Sequence, residues 1–465
     1  MSIEERAQKA KQAQIRCAGL STQEKNDALE AIAAALQAQR SSIEAANRAD
    51  VERAEKENLE APLLKRLKFQ GEKIDQSCAG VRGVAGQDDP VGVIQSARLL
   101  DDGLELYRVS CPIGVIGMIF ESRPDALVQM AALSLKSGNA VLLKGGREAL
   151  ETNRELARII AEATQQAGIP AGWIQLAETR EDVNSMLALD RHIDLLIPRG
   201  SNQFVRYIMD NTNIPVLGHA DGVTHLYIHS AADLQMAVEL ADDSKNQYVA
   251  VCNALETLLV DKVVAAEYLP RLKQRMDERG TELRGCEQTR SYIDVKAATD
   301  DDWSAEYLDK ILAVKIVDGL EAAIEHINTY GSGHTDAIVT ADRPAAEQFM
   351  DLVDSADVFW NASTRFSDGY RFGLGAEVGI STNKIHARGP VGLEGLVIYK
   401  WRLYGSGQKV ADFGGPDGRS FLHRPLNLKK GDPRPASGPP PTQAEESAAA
   451  GLQEPPAQED PEGRE

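Results

Sequence analysis

From about residue 91, short apolar segments alternate with amphipathic helical segments along the chain. "NAVLLKGG" and "IDLLIPRGS" are apolar runs that end at glycine, whereas "PDALVQMAALSLKSG" and "ETNRELARIIAEATQQAG" have helical periodicity. Strands and helices that alternate at this spacing build βαβ units, in which helices cover both faces of a parallel sheet. Because ligands of such sheets gather at the carboxyl ends of the strands, we expect a site there.

A second α/β section begins near residue 224 with "THLYIHS" and continues through "ETLLVDKVV", "LAVKIVD" and "DAIVTAD". Residues 3 to 68 have helical composition, and Ser21 and Glu24 have the spacing of a capping box. A chain of 465 residues is too long for one ordinary core, so we expect two or three structural units. The predicted fold class is therefore α/β.

Composition and charge argue against several classes of protein. The formal net charge of −19 disfavours a nucleic-acid binder, because phosphate contacts require clustered Lys and Arg. No apolar run approaches the roughly 20 residues of a membrane helix, and the N-terminus lacks the apolar segment of a secretory signal. We therefore expect a cytoplasmic protein. Residues 431–465, rich in Pro, Glu, Ala and Gly, predict a disordered tail without a catalytic role.

The five cysteines form no disulfide framework and no spacing typical of a metal site, so we expect no metal. Cys252 differs from the others because it lies in "NQYVAVCNALET", among polar neighbours. A cysteine beside Val and Ala is more often a small core residue, whereas a nucleophile needs a lowered pKa and oxyanion donors. The residues leave both interpretations of Cys252 open. The other four are interpreted as structural: Cys17, Cys78, Cys111 and Cys286.

Two predicted strands end at residues suited to a nucleotide. "LLKGG" brings Lys144 to one strand end, and "LIPRGS" brings Gly200 and Ser201 to another. The ribose of an adenosine would hydrogen-bond Lys144, and a dinucleotide phosphate would meet backbone N–H groups near Gly200 and Ser201. Glycines after strands are also common in simple turns, so this pattern alone does not establish a cofactor site.

Taken together, "SGNAVLLKGG", "LIPRGS" and "NQYVAVCNALET", in this order, resemble the aldehyde dehydrogenase superfamily. Two further stretches, "EHINTYGSGHTDAIVT" and the segment 360–396 with its "FGLGAEVGIST", closely resemble the γ-glutamyl phosphate reductase family within it. The resemblance covers roughly residues 3–423 and leaves the tail outside. It implies an aldehyde dehydrogenase-like fold with a parallel-sheet cofactor domain, an α/β catalytic domain and a small oligomerisation flap.

The resemblance also implies how the chain divides. Residues 1–225 would hold mainly the N-terminal helices and the NADP-binding domain, and residues 226–387 would form the catalytic domain. Residues 92–108 and 388–423 would form the flap. Exposed strand edges of the flap would pair with another subunit, so we expect a homo-oligomer, at least a dimer.

The reaction implied by the resemblance is the NADPH-dependent reduction of L-glutamate 5-phosphate to L-glutamate 5-semialdehyde, the second step of proline biosynthesis. Cys252 matches the family nucleophile: its thiolate would displace phosphate and form a thioester. Hydride transfer would give a thiohemiacetal that collapses to the aldehyde. A 2′-phosphate needs a basic pocket, for which "KGGREAL" offers Lys144 and Arg147.

The sequence departs from the wider superfamily at two places. Oxidising members carry a glutamate base that helps water to cleave the thioester, but the matching stretch here, "PVLGHADGVTHLY", has no glutamate. This loss fits a reductase, which must keep water from its thioester. The superfamily asparagine that holds the oxyanion is replaced by "IFESRP", with Glu121 and Ser122. We therefore expect the backbone N–H of Cys252 to serve as the oxyanion donor.

The resemblance singles out further residues. Glu377 matches the glutamate that orders the nicotinamide ribose, although a structural glutamate facing a loop N–H is an equal alternative. His334 would orient a phosphate or carboxylate, or would bond backbone as a fixed loop histidine. A substrate with an α-carboxylate and an acyl phosphate needs cations, and bidentate Arg suits both groups. The candidates in the signature region are Arg365, Lys384 and Arg388, with Asn361 as a donor to either group.

Two other functions remain open from the sequence. A CoA-acylating aldehyde dehydrogenase would form the same thioester, and release of CoA instead of phosphate would distinguish it. A non-catalytic relative would keep the fold and only bind a partner, and nicotinamide turnover would exclude it. Because acyl phosphates are labile, glutamate 5-kinase, which would supply the substrate, is a plausible partner.

Overall fold

The computed structural model describes residues 1–121, 123–219, 221–415 and 418–426. Ser122, residues 416 and 417 of the predicted flap, and the predicted disordered tail at 431–465 lie outside the described residues. Five helices come first: α1 (Ile3–Cys17), α2 (Thr22–Ala38), α3 (Arg40–Lys56), α4 (Ala61–Leu67) and α5 (Glu72–Ala85). Ser21 and Glu24 form the predicted capping box at the start of α2, so that prediction is confirmed.

Two antiparallel strands follow, β1 (Ile94–Asp101) and β2 (Leu104–Pro112). A four-stranded parallel sheet then contains β3 (Val115–Phe120), β4 (Ala140–Lys144), β5 (Ile174–Ala177) and β6 (Leu195–Arg199). Its helices are α6 (Pro124–Lys136), α7 (Leu150–Gln166), α8 (Arg180–Leu187) and α9 (Asn202–Asp210). All residues of β3 and β4 are buried, as in sheets that helices cover on both faces.

The spatial order of this sheet is β5-β4-β3-β6. The chain runs outward from β3 to β5 and then returns to the other side of β3 to form β6. The point between β3 and β6 is therefore a topological switch point, where ligands of open α/β sheets bind. Glu121 follows β3 and Gly200 follows β6, so both residues lie at this crevice.

The second α/β section forms a seven-stranded sheet with the order β10-β9-β11-β8-β7-β12-β13, in which all neighbours are parallel. Its strands are β7 (Thr224–Ile228), β8 (Leu255–Asp261), β9 (Glu282–Gly285), β10 (Lys296–Ala297), β11 (Ile311–Val317), β12 (Thr335–Val339) and β13 (Asp357–Trp360). Its helices are α10 (Leu234–Asn246), α11 (Ala265–Arg279), α12 (Glu287–Tyr292), α13 (Gly319–Tyr330) and α14 (Arg343–Leu352). The predicted α/β class is confirmed by these two sheets.

Four strands complete the described chain: β14 (Gly379–Ser381), β15 (Gly389–Val391), β16 (Val397–Tyr404) and β17 (Arg424–Pro425). β14 pairs with β15, and another sheet has the order β16-β2-β1-β17. The chain divides into two compact units: Met1–Pro90 with Pro112–Ile398, and Val91–Cys111 with the described residues from Tyr399 onward. The predicted boundaries at 225 and 387 lie within the first unit and stay predictions. No helix in the described part of the chain is long and apolar enough to cross a membrane.

A buried ion pair fixes both ends of the segment that contains Cys252. Lys245, in the last turn of α10, lies 2.6 Å from the carboxylate of Glu256, in β8, and both side chains are completely buried. The second carboxylate oxygen of Glu256 accepts a hydrogen bond from the N–H of Leu308. The turn between α10 and β8 is therefore anchored at its start and at its end.

We expect the substitution Glu256→Gln to lower the free energy of unfolding by about 3–5 kcal/mol, because it leaves the ammonium of Lys245 buried without a counter-charge. Urea denaturation followed by circular dichroism measures this loss. The exposed pair of Arg271 and Glu267 on α11 provides a control, and Glu267→Gln should have a far smaller effect. The double variant Lys245→Met/Glu256→Leu should recover most of the loss. Equal effects of Glu256→Gln and Glu267→Gln would contradict the assignment.

Candidate active site

Cys252 lies in the turn between α10 and β8 and is half-buried. The neighbouring loop approaches its backbone so closely that only glycine fits at residue 222. A Cβ atom added to Gly222 would lie 2.4 Å from the carbonyl oxygen of Cys252 and 2.6 Å from its Cα. The hydroxyl of Thr224 donates to the same carbonyl at 3.1 Å. The backbone at Cys252 is therefore held by the strand β7 and the loop that leads into it.

The signature region 360–396 also packs against this turn. The Asn253 amide donates to the carbonyl of Ser367 at 2.7 Å, and the Thr364 hydroxyl donates to the carbonyl of Asn253 at 2.8 Å. Both Asn253 and Thr364 are buried. Two of the stretches that carry the family resemblance thus meet next to Cys252, although more than a hundred residues separate them.

Cys252 borders a cavity of about 160 Å³ at the carboxyl end of β6. Arg199, Gly200, His219 and Gly379 also line this cavity. The topological switch point of the first sheet and the Cys252 turn of the second α/β section therefore share one cavity. The structure brings predicted residues Cys252 and Gly200 together here.

Burial raises the pKa of the Cys252 thiol to about 12, and the negative charge of Glu306 acts in the same direction. The positive charge of Arg199 partly opposes this effect. Because the anionic form is disfavoured, Cys252 rests as a protonated thiol. Its use as a nucleophile requires an acceptor for the proton.

Arg199 is a site residue that the sequence predictions omitted. Burial lowers the pKa of its guanidinium, which lies near the charges of Cys252 and Glu377. Within the described part of the chain, this guanidinium makes no hydrogen bond and no ion pair. A Cβ atom at Gly379 would lie 2.4 Å from its Nη1, so glycine is needed there. The sequence feature that could have identified Arg199 is its position directly before the strand-end glycine in "LIPRGS". Only Gly200 and Ser201 of that stretch were considered as site residues.

His219 and His334 lie beside Cys252, with ring centroids 4.8 Å apart and rings nearly perpendicular. His219 Nδ1 is 2.9 Å from the carbonyl oxygen of Ile380, and His334 Nδ1 is 2.7 Å from the hydroxyl of Thr335. Burial lowers the pKa of both imidazoles, so both rest neutral. His219 was missing from the sequence predictions because its stretch was considered only for the glutamate that it lacks.

Glu377 accepts a hydrogen bond from the N–H of Gly369 at 2.7 Å, which is the structural contact considered as the alternative to a ribose contact. Burial raises the pKa of its carboxyl, and the charge of Arg199 opposes the shift. Its charge also acts on Cys252. Glu377 is therefore close to the cavity, and its role toward a ribose stays a prediction.

The four remaining substrate candidates differ in whether a described contact joins them to the Cys252 turn. Arg365 is buried, donates from Nε to the Gln247 amide oxygen at 3.0 Å, and interacts electrostatically with Cys252. Asn361 instead exchanges two hydrogen bonds of 2.9 Å with the backbone of Thr340. Lys384 and Arg388 both contact the carboxylate of Asp354, at 2.5 and 3.1 Å. Only Arg365 is joined to the Cys252 turn by a described contact.

A larger cavity of about 880 Å³ lies at the carboxyl ends of β3 and β4. Lys144, Glu121 and Arg147 line it. Its volume falls in the range of about 300–1,000 Å³ that small-molecule and cofactor sites occupy, and its lining includes the two cations Lys144 and Arg147, which suit the phosphate and ribose of a nucleotide. At the start of α9, the carboxylate of Glu121 accepts a hydrogen bond of 3.2 Å from the N–H of Ser201.

Comparison with known proteins agrees with this architecture. The sequence profile of the aldehyde dehydrogenase family matches residues 1–284. A γ-glutamyl phosphate reductase from Pelotomaculum thermopropionicum is 60% identical over 431 residues, which cover 93% of this chain and 99% of the relative. Another, from Natronomonas pharaonis, is 58% identical over 91% of this chain and 97% of its own length.

Solved structures show the same relationship. The crystal structure of γ-glutamyl phosphate reductase from Thermotoga maritima has a TM-score of 0.86 and 41% sequence identity, covering 88% of this chain and 100% of that one. An acetylating aldehyde dehydrogenase from Geobacillus thermoglucosidasius has a TM-score of 0.57 at 19% identity, over 88% and 97% of the two chains, and shares the fold. The predicted family and the predicted aldehyde dehydrogenase-like fold are confirmed. The chain belongs to the γ-glutamyl phosphate reductases of the aldehyde dehydrogenase family and is an oxidoreductase of the aldehyde dehydrogenase type.

Proposed function

We propose that this enzyme reduces L-glutamate 5-phosphate to L-glutamate 5-semialdehyde and phosphate, using NADPH and a thioester on Cys252, as the second step of proline biosynthesis. The names of its relatives support the substrate. The observation that carries the chemistry is the cavity in which Cys252 lies beside the guanidinium of Arg199. A nucleophile and a cation for the leaving phosphate are the two groups that this displacement needs.

The Cys252 thiol must lose its proton before it attacks, because burial disfavours the thiolate. The neutral imidazole of His219 would accept this proton on Nε2, since its Nδ1 faces the carbonyl of Ile380. Sγ would then form a bond to the acyl carbon while the bond from that carbon to the phosphate oxygen breaks. Arg199 would stabilise the negative charge on the departing phosphate, and the backbone N–H of Cys252 would hold the oxyanion.

Lys144, Arg147, Gly200, Ser201 and Glu377 would hold the cofactor. Lys144 and Arg147 line the 880 Å³ cavity, where they would bind the adenosine ribose and its 2′-phosphate. Gly200 and Ser201, at the start of α9, would face the pyrophosphate, and Glu377 would order the nicotinamide ribose. Bound NADPH supplies the hydride that reduces the thioester to the aldehyde.

Arg365 is the favoured partner for the substrate α-carboxylate, because it is buried and bound to Gln247 within the Cys252 segment. Asn361, Lys384, Arg388 and His334 remain candidates for the substrate. Lys384 and Arg388 would have to release Asp354 before they bind an anion. The neutral ring of His334 would offer a hydrogen bond and no charge.

We also propose that the enzyme is a cytoplasmic homo-oligomer. β16 is an edge strand of its sheet, and four of its apolar side chains are exposed: Ile398, Tyr399, Trp401 and Leu403. Exposed apolar edge strands pair with other chains unless they are covered, so this strand would join a second copy through the flap. The lability of an acyl phosphate supports transient association with glutamate 5-kinase.

The first prediction from the proposed function concerns the reverse reaction, phosphate-dependent reduction of NADP⁺ by glutamate 5-semialdehyde. Wild-type protein should be active, and Cys252→Ala should lose activity because no thioester forms. NADPH formation measured at 340 nm reports the rate, and circular dichroism checks that the variant is folded. Cys286→Ala is the matched control and should retain activity. Activity that requires CoA in place of phosphate would overturn the proposed substrate, and activity of folded Cys252→Ala would overturn the nucleophile.

The second prediction concerns Arg199. Arg199→Gln should raise the KM for phosphate in the reverse reaction by about 10–100-fold, the effect of losing one charge-assisted hydrogen bond. The KM for NADP⁺ should change much less. Arg271→Gln, on the exposed face of α11, is the control and should leave both constants unchanged. An equal rise of both constants in Arg199→Gln would show a general disturbance of the site and contradict a role in phosphate binding.

The third prediction follows from the raised pKa of Cys252. Below its pKa the thiolate fraction rises about tenfold for each pH unit, so alkylation by iodoacetamide should accelerate continuously from about pH 7 to about pH 10. Peptide mass spectrometry, with a chelator present, measures the rate at Cys252 in ligand-free protein. Free cysteine, with a pKa of about 8.5, should level off within the same range. A plateau for Cys252 below that of free cysteine would contradict the raised pKa.

A further inference from the structure

Cys252, His219 and His334 form a cluster of three potential metal ligands. The Cys252 Sγ and one ring nitrogen of each histidine all lie within 4.8 Å of one another. His219 comes from the loop before β7, and His334 directly precedes β12. The sequence predicted no metal site, because these three residues are far apart along the chain and match no ligand spacing.

Each neutral imidazole has one protonated nitrogen and one nitrogen that carries a lone pair. His219 Nδ1 faces a carbonyl oxygen, which accepts only, so Nδ1 carries the proton and Nε2 carries the lone pair. His334 is completely buried, and its Nε2 has no hydrogen-bond partner among the described residues, while its Nδ1 contacts Thr335. A buried polar atom without a partner is costly and calls for an explanation. A histidine whose second nitrogen donates to a backbone carbonyl is also the common arrangement of metal ligands.

We propose that Cys252, His219 and His334 bind Zn²⁺ or a similar soft divalent cation, and that this cation blocks the thiol reversibly. On binding, a bond forms between the metal and Sγ while the thiol proton passes to solvent, and the two neutral imidazoles each contribute a lone pair. Zinc takes such sulfur and nitrogen ligands in a tetrahedral site at about 2.0–2.3 Å, with a water in the fourth position. The ligand atoms therefore need only a small convergence.

The surroundings decide which cation fits. A thiolate with two imidazoles selects Zn²⁺ over Mg²⁺ or Ca²⁺, which prefer oxygen ligands. The carboxylates of Glu306 and Asp221 act electrostatically on Cys252 and His219, and so favour a cation, whereas Arg199 opposes it. Cys252 and His219 also line the 160 Å³ cavity, so the metal would enter where the substrate enters. The metal site is inferred from the geometry of its three ligands, whereas inhibition of the enzyme by the bound metal rests on the proposed function.

The test uses full-length protein that has been treated with a chelator and dialysed. Titration with Co²⁺ should give a sulfur-to-cobalt charge-transfer band and the strong visible bands of tetrahedral Co²⁺, saturating at one equivalent, and Zn²⁺ should abolish them. Cys252→Ser, His219→Gln and His334→Gln should each weaken Co²⁺ binding at least about tenfold. Cys286→Ser and His386→Gln, two changes outside the cluster, should leave the titration unchanged. Thermal unfolding checks that each variant is folded.

The outcomes of these experiments test the metal site and the proposed reaction independently of each other. Absence of the bands in wild-type protein, or their persistence in folded Cys252→Ser and His219→Gln, would overturn the metal site even if the enzyme is active. Bands at one equivalent in a protein that turns over no substrate would support the site and contradict only the proposed function. In active enzyme, Zn²⁺ should inhibit competitively with glutamate 5-semialdehyde, and a chelator should restore the rate. A zinc-loaded enzyme with full activity would overturn the blocking role.

Discussion

The ion pair between Lys245 and Glu256 is the constraint on which the site depends. It removes two charges from water, and such a pair is tolerated only when each charge satisfies the other. Because Lys245 lies in the last turn of α10 and Glu256 lies at the start of β8, the pair anchors both ends of the connection that carries Cys252. Gly222 and Thr224 then hold the backbone of this connection against β7. The side chain of Cys252 therefore lies on a turn whose backbone is held at several points.

Much of the fold could be predicted from local patterns. Apolar strands that alternate with amphipathic helices indicate a sheet that helices cover on both faces. This pattern predicts parallel sheets, and the structure contains two of them. The Ser21 capping box depends on residues three positions apart, so sequence alone identifies it. Cys252 was recognisable as a site residue only through the family resemblance, since its own neighbours are equally compatible with a core thiol.

The resemblance also singled out Gly200, Glu377, Arg365 and His334, but the contacts among the site residues join distant segments and could not be predicted. Arg199 at the end of β6 and His219 in the loop before β7 were missed, because no spacing in the sequence brings them to Cys252 and His334. Burial, which sets the protonation of Cys252 and both histidines, is likewise a property of the folded chain. For Lys384 and Arg388, residue type and position in the signature stretch could not reveal that both side chains pair with Asp354, and their role toward the substrate stays a prediction.

The contact between Glu121 and Ser201 has a consequence for how anions exchange at α9. The N-terminus of a helix attracts negative charge, and here a carboxylate of the protein already satisfies that attraction. The pyrophosphate that we propose at Ser201 would therefore replace an internal anion and would gain only the difference between the two contacts. On its departure, the carboxylate of Glu121 would return to Ser201, so the N–H would not be left without a partner. In the proposed reaction, this internal carboxylate would weaken cofactor binding at equilibrium and by the same amount favour release, which would suit an enzyme that exchanges its cofactor after every turnover.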